Sequence, residues 1–243
     1  MASQRSEIFL ILLILLFFSL ALFFLILLII SRIKKKITLN KKKLFEPIAE
    51  RLVFSVVFEN KSFKDLQNDI AFTSNINNKF FRLLLLDSVI KLHRTYTGEY
   101  SKKTELFFIE SNLIKDTYKK LNSRQWPDKC EAIRELAEMN ITDAYSLIRK
   151  NVYSKNLTLR QEAMMAMLKL KGVDGLSFLN DYKETLNDWI QLNLISIIKN
   201  NFPLTQEPYY NLFIASSNVS VSLFGRRLKA YYEQISVPFS ETN

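Results

Sequence analysis

The residue types that most often carry catalysis or metal binding are scarce in this chain. His93 is the only histidine and Cys130 the only cysteine. A metal site needs several His, Cys or carboxylate ligands at suitable spacing, and His93 has no second His or Cys near it. A nucleophilic Cys130 would need a histidine base and an electropositive pocket. We therefore expect His93 to be structural or solvent-exposed and Cys130 to be a packed helix residue.

Stronger catalytic patterns are also missing from the sequence. It contains no nucleophile elbow, no phosphate-binding glycine loop and no paired metal carboxylates. The chain is therefore predicted not to be an enzyme and to need no cofactor, metal or small-molecule substrate. The two tryptophans, Trp126 and Trp189, are predicted to lie in the helix-packing core. The alternative for each is a binding hot spot for a protein partner.

The longest apolar run of the sequence extends from Ile8 to Ile30 and is interrupted only by Ser19. If it is a membrane span, it places the rest of the chain at the membrane surface. As a helix it would extend about 34 Å, enough to cross a hydrocarbon core of about 30 Å. A buried helix of a soluble protein is the alternative, but such helices seldom lack a polar face over this length. The sequence predicts an N-terminal tail and transmembrane helix over residues 1–31.

A basic cluster follows the apolar run at once. Residues 32–43 are predicted to form a juxtamembrane linker at the membrane interface, and they place the N-terminus outside and the C-terminal domain in the cytoplasm. The simplest role of the cluster is to set topology, with recognition of anionic lipid as the alternative. Of the net charge of +10, only +3 remains for residues 44–243, which gives little reason to expect nucleic-acid binding. The basic residues are Arg32, Lys34, Lys35, Lys36, Lys41, Lys42 and Lys43.

Residues 44–243 read as helices joined by short loops, because the chain has only four glycines and no extended alternating pattern. A first helix is expected to begin near Pro47, with some strand character, and whether residues 44–75 join the domain that follows is left open. Asn75 is expected to cap a second helix. A third helix is expected over residues 101–121 and a last one over residues 219–235.

A 31-residue repeat runs through the second half. Sliding residues 129–148 forward by 31 positions lays them on residues 160–179 without a gap. Each copy is predicted to be a helix, a short turn ending in a capping Asp (Asp143 or Asp174) and a second helix. Such hairpins must stack to bury their apolar faces, which indicates an α-solenoid. The apolar sets that coincide are Ala132, Ile133, Leu136, Met139 and Ala163, Met164, Met167, Leu170.

This pattern resembles the short HEAT-like repeats of the PBS-lyase type, with Arg160 and Ala163 in the first helix of the repeat. The stretch from Lys129 to Met139 is also similar to the repeat start of membrane-anchored bacterial HEAT-repeat proteins. The resemblance implies an all-α fold, with one transmembrane helix followed by an α-solenoid of HEAT-like hairpins over 44–243 that is clearest at 128–155 and 159–186. The chain departs from the family pattern in the third repeat unit, after residue 186, where Pro203 and Pro208 would shorten the second helix.

Two functions follow from this resemblance and from the anchor. The first is a bacterial inner-membrane scaffold that presents its solenoid to membrane or cytoplasmic proteins. The second, implied only by the resemblance, is an accessory or regulatory subunit of a membrane enzyme complex such as an envelope polysaccharide glycosyltransferase. The second helices of the two copies offer candidate partner contacts, with ordinary solvated or loop-covered positions as the alternative. The candidates are Tyr145, Arg149, Leu176, Asn180 and Lys183.

Overall fold

A computed structural model describes residues 2–201 and 210–236, with side chains placed between residues 11 and 233 of those ranges. The described chain is all-helical, with 84% helix and no strands, which confirms the predicted all-α class. Pro203 and Pro208 lie outside the described residues. The described chain divides into two compact units. Unit 1 comprises the residues up to Ser55 together with Lys64–Ser88, and unit 2 comprises Val56–Phe63 together with the described residues from Val89 onward.

Unit 1 is dominated by one helix, α1 (Ala2–Phe58), of 57 residues. No glycine or proline precedes Pro47, so nothing in the sequence ends the helix before that point. The predicted helix start near Pro47 is wrong, because Pro47 lies inside α1. Residues 32–43, predicted as a linker, are helical throughout.

The N-terminal part of α1 is apolar and uncovered. Its large apolar side chains between Ile11 and Ile30 are exposed by 38% to 69%. The hydroxyl of Ser19 donates to the carbonyl of Leu16 at 2.8 Å, so the one polar side chain of this stretch is satisfied within the helix. Within the described residues, α1 is the one helix long and apolar enough to cross a membrane, and its most apolar 18-residue stretch has a mean hydropathy of 3.4.

Short helices α2 (Phe63–Gln67) and α3 (Ile70–Asn75) follow α1 in the chain, and α4 (Lys79–Thr95) comes next. Within unit 1, Arg51 of α1 pairs with Asp69, the residue that caps α3, at 3.4 Å. The ring of Phe45 lies 5.8 Å from that of Phe81. Asn78 begins α4 by accepting from the Phe80 amide at 2.9 Å, so the predicted cap at Asn75 is wrong. The fully or nearly buried apolar residues of unit 1 include Ala49, Leu52, Val53, Phe72, Phe81 and Leu85.

Unit 2 contains the end of α4 and eight further described helices. The helix predicted over 101–121 is two helices, because Asn112 adopts a left-handed conformation with φ of 59° between them. Helix α7 packs against α6 and α9, α9 packs against α10, and α11 packs against α12. The helices are α5 (Glu99–Glu110), α6 (Leu113–Leu121), α7 (Trp126–Glu138), α8 (Tyr145–Arg149), α9 (Leu157–Lys171), α10 (Asp188–Asn201), α11 (Tyr210–Ile214) and α12 (Val219–Ser236).

The first helices of the two predicted repeats are α7 and α9, and their apolar sets behave as the 31-residue register predicts. All eight residues of those sets are buried, and Leu170 is the most exposed of them at 8%. The predicted burial of equivalent positions on these two helices is therefore confirmed.

The second helices are not as predicted. The first copy has only the single-turn α8 between the 3₁₀ segments Thr142–Ala144 and Lys150–Tyr153, and the second copy has the 3₁₀ segment Gly172–Asp181. Asp143 and Asp174 lie in the first turns of 3₁₀ segments and make no capping hydrogen bond, so the predicted caps are wrong. A Cβ on Gly175 would collide with the carbonyl oxygen of Met167, which shows how closely this segment lies on α9.

Candidate functional site

A groove of about 400 Å³ crosses the outer faces of α7, α9 and α10 in unit 2. These helices turn their apolar stripes inward, so the groove is formed by the positions between and outside those stripes. Its charged lining residues are Arg94, Arg134, Glu138, Glu162 and Lys169, and its other main lining residues are Met165, Trp189, Asn193 and Ile197.

Ion pairs bridge neighbouring helices along the groove. Glu138 of α7 pairs with Arg94 at 3.0 Å and with Lys169 of α9 at 3.4 Å. Arg134 of α7 pairs with Glu162 of α9 at 3.3 Å. Glu138 and Lys169 are 31 residues apart, the repeat interval, as expected for equivalent positions on adjacent helices. The pairs link α7 to α4 and to α9, and the side chains of Arg94 and Arg134 remain exposed beside the groove.

The two carboxylates of the groove respond differently to their surroundings. Burial opposes ionisation of Glu138, but hydrogen bonds and charge from Arg94 and Lys169 outweigh it and lower the pKa of that carboxyl. Burial of Glu162 is only partly offset by Arg134 and Lys169, so the pKa of Glu162 is raised. At neutral pH Glu138 therefore holds its negative charge between two cations.

Trp189 is the main exposed aromatic residue of the groove. It lies in the first turn of α10 with 54% of its surface exposed, so its predicted place in the core is wrong. The core positions of α10 are instead Ile190, Leu194 and Ile198, which recur every four residues and leave Trp189 beside that stripe. Trp126, in the first turn of α7, is also outside the core, at 46% exposed.

The predicted partner strip is only partly exposed. The predicted exposure of Leu176 is wrong, because its side chain is fully buried. In a 3₁₀ segment residues three apart share a face, so Leu176 falls on the same buried stripe as Val173 and Leu179. Tyr145 is half-buried, with its hydroxyl 3.4 Å from the Gly175 carbonyl.

The other three candidates of the strip are exposed. Arg149 lies on α8, and Asn180 and Lys183 line one cleft of about 930 Å³. The inner wall of that cleft is held by its own hydrogen bonds. The Asn218 amide donates to the carbonyls of Tyr182 and Glu184 at 2.8 and 2.9 Å. These bonds make the wall a structural network that ties the loop before α10 to the start of α12.

Near His93 the structure brings a hydroxyl and a carboxylate together. The Ser101 hydroxyl lies 2.8 Å from His93 Nε2, and Glu105 Oε1 lies 3.1 Å from the same nitrogen. A Ser-His-acid triad uses opposite ring nitrogens for the nucleophile and the acid. This arrangement is therefore a polar contact between α4 and α5, not a triad. Among the described residues, no group of three potential ligands could hold a metal ion.

Cys130 is buried on α7, where burial and the Glu162 carboxylate raise the pKa of its thiol. It is therefore a protonated packing residue at neutral pH.

Sequence reasoning missed a polar cluster between α6 and α7. Lys120 pairs with Glu131 at 2.7 Å and with Glu135 at 2.6 Å, and Glu135 also accepts from the Thr117 hydroxyl at 2.7 Å. Burial disfavours the charged form of Lys120, but these hydrogen bonds outweigh it and raise the pKa of the ammonium. The sequence signal that could have revealed this cluster is Glu135, a charged residue among the buried apolar residues of α7, because a buried charge needs a partner.

The predicted membrane-interface residues, Arg32 to Lys43, lie on α1 and are exposed except for Lys42, which is half-exposed and pairs with Glu46 at 3.3 Å.

No family model, curated protein or solved structure matches this chain. Its function must therefore be argued from the anchor-like helix and the groove.

Proposed function

We propose that this chain is a single-pass bacterial inner-membrane protein that acts as a non-enzymatic scaffold. In this proposal its N-terminus lies outside, and its helical units bind a protein partner at the cytoplasmic face. The uncovered apolar surface of α1 supports the membrane span. The Lys and Arg residues after the span support this orientation, because basic flanks are retained in the cytoplasm.

The observation that carries the scaffold role is Trp189, exposed in a groove bordered by charged side chains. Aromatic and Arg side chains dominate binding energy at protein interfaces, and Trp189 lies in one groove with Arg94 and Arg134. The groove supplies no nucleophile-base pair, which favours binding over catalysis. The packing of α6, α7, α9 and α10 in sequence supports the HEAT-like solenoid that we propose for this region.

The test is co-purification of the tagged full chain from native membranes, with partners quantified by mass spectrometry. Trp189→Ala removes the exposed ring, and a hot spot of about 2 kcal/mol would lower partner recovery about 30-fold. Trp126→Ala is the matched control, because Trp126 is a similarly exposed first-turn residue outside the groove. Equal loss from both variants, or from neither, would refute the groove as the binding site.

Two further outcomes decide between the remaining alternatives. If Arg149→Ala combined with Lys183→Ala removes the partner while Trp189→Ala does not, the interface lies on the predicted strip. If the recovered partner is a membrane enzyme whose activity depends on this chain, the accessory-subunit function is correct in place of a general scaffold.

A further inference from the structure

Residues 33–44 of α1, called here the stalk, form a helix that carries apolar side chains in the open. Ile33, Ile37 and Leu44 are 54%, 50% and 62% exposed. The ring contacts of α1 with α4 begin only at Phe45. The stalk therefore lies between the apolar run and the packed part of unit 1.

The stalk sequence repeats with a period of seven. Ile33 is followed by three lysines and Ile37, and Asn40 is followed by three lysines and Leu44. The spacings of four, three and four residues put these positions on one narrow stripe, with Asn40 beside the apolar residues. This is the spacing of a coiled-coil a/d seam, with Ile33 and Asn40 at d positions and Ile37 and Leu44 at a positions.

Lysines border the seam on both sides. Lys34 and Lys41 occupy e positions, and Lys36 and Lys43 occupy g positions; all four are exposed. Lys42, the residue paired with Glu46, is at an f position and points away from the seam. In a parallel pair of identical stalks, Lys36 of one copy would face Lys41 of the other, and this repulsion disfavours a second copy.

Lipid headgroups account for the first lysine triplet better than for the second. A helix rises about 1.5 Å per residue, so Lys41 lies about 16 Å beyond Ile30, whereas each headgroup layer is only about 5–8 Å thick. The second triplet and Leu44 therefore stand above the layer that the first triplet occupies. This step rests on the membrane anchoring proposed above.

We propose that the stalk pairs with an acidic helix of another protein: an amphipathic helix with apolar a and d residues and Glu or Asp at e and g. Such a helix would cover Ile37 and Leu44, which lie beyond the headgroup layer, and place carboxylates opposite Lys41 and Lys43. Charge complementarity selects this occupant over a second copy, because no acidic residue lies between Arg32 and Lys43.

The test uses the full chain in phosphatidylcholine nanodiscs and a fluorescein-labelled synthetic peptide of three heptads, with Ile at a, Leu at d and Glu at e and g. The expected result is saturable binding by fluorescence anisotropy. Ile37→Ser combined with Leu44→Ser should weaken binding at least about tenfold. Leu39→Ser is the matched control, because Leu39 is 48% exposed but lies off the seam, and it should leave affinity unchanged.

Three results would overturn the proposal. The first is equal affinity of the double variant and the native chain, since attraction would then be charge alone. The second is a lack of preference for the Glu peptide, seen either as equal affinity for a peptide with Lys at e and g or as no binding of either peptide. The third is efficient disulfide cross-linking between copies of an Ile37→Cys variant, which would make a second copy the occupant; native Cys130 is buried at 1% exposure and does not compete.

A separate experiment tests membrane anchoring: it measures whether the chain resists alkaline extraction from membranes. Release of the chain would overturn both the proposed function and the stalk inference. A chain that resists extraction but fails to bind the peptide would overturn the stalk inference alone.

Discussion

Replacing Leu136 or Met167 by alanine tests the 31-residue register most directly. The two residues occupy equivalent positions on α7 and α9, and both are fully buried. One turn earlier on each helix lies an alanine, Ala132 or Ala163, whose short side chain cannot fill the space that either change would leave.

The expected cost follows from that burial. Removing a fully buried Leu or Met side chain loses its transfer free energy and leaves a cavity, for a total of about 2–5 kcal/mol in each variant. For a folded region of 150 to 250 residues, each kcal/mol lowers the melting temperature by about 2–4 °C. Each variant should therefore melt about 4–20 °C below the native chain.

The assay is thermal unfolding of the full chain in detergent micelles, followed by circular dichroism. Leu192→Ala is the control, since it makes the same chemical change at a residue of α10 that is 61% exposed, and it should alter stability by less than about 0.5 kcal/mol. Melting temperatures of both core variants that match the control would refute the register and the packing of α7 on α9 that depends on it.

Two other predictions concern charge. Hydrogen bonds and charge from Arg94 and Lys169 lower the pKa of Glu138 despite its burial, so its contribution to stability is fully present above its ordinary pKa and is lost as pH falls through the lower folded value. Glu138→Gln should therefore destabilise the chain at neutral pH and flatten the loss of stability below about pH 4.5. Glu184→Gln changes an ion pair whose carboxylate is 60% exposed, so at neutral pH it should alter stability by less than about 0.5 kcal/mol. Melting curves of both variants across pH check these expectations. A reporter fused after Asn243 should be active in the cytoplasm, and digestion of the C-terminal region by protease added to intact cells would contradict the predicted orientation.

The sequence predicts best where α-helical periodicity and burial agree. The apolar stripes of α7 and α9 recur every three or four residues, and this pattern is sufficient to identify their buried positions without the structure. The long apolar run of α1 is equally clear, because its length and lack of charge exceed those of ordinary core helices.

The prediction fails where the helix type or its boundary changes. An α-helical period of 3.6 residues per turn predicts that Leu176 points outward, but its segment has a 3₁₀ period that turns it inward. The prediction for Trp189 fails because the buried apolar positions of α10 begin one residue later, at Ile190, and leave Trp189 exposed. These two residues change which surface is the candidate site. Exposed Trp189 makes the groove a candidate, and buried Leu176 removes the middle of the predicted strip.

The cross-helix contacts of the groove could not be predicted from local pattern. The pairing of Glu138 with Arg94 joins residues 44 positions apart, and nothing near either residue specifies that partner. The same is true of the pairing of Lys120 with Glu135 between α6 and α7. Such pairs depend on the packing of the apolar faces, which sets the distances between the helices.

The unbroken course of α1 has a mechanical consequence. A helix resists stretching and twisting, because each turn is tied to the next by backbone hydrogen bonds. Within unit 1, a piston-like shift or a rotation of the segment around Ser19 is therefore carried along the same rod to Leu52 and Val53, which are fully buried. Pro47 is the one residue of this rod that cannot donate a backbone hydrogen bond, so bending concentrates at the turn before it.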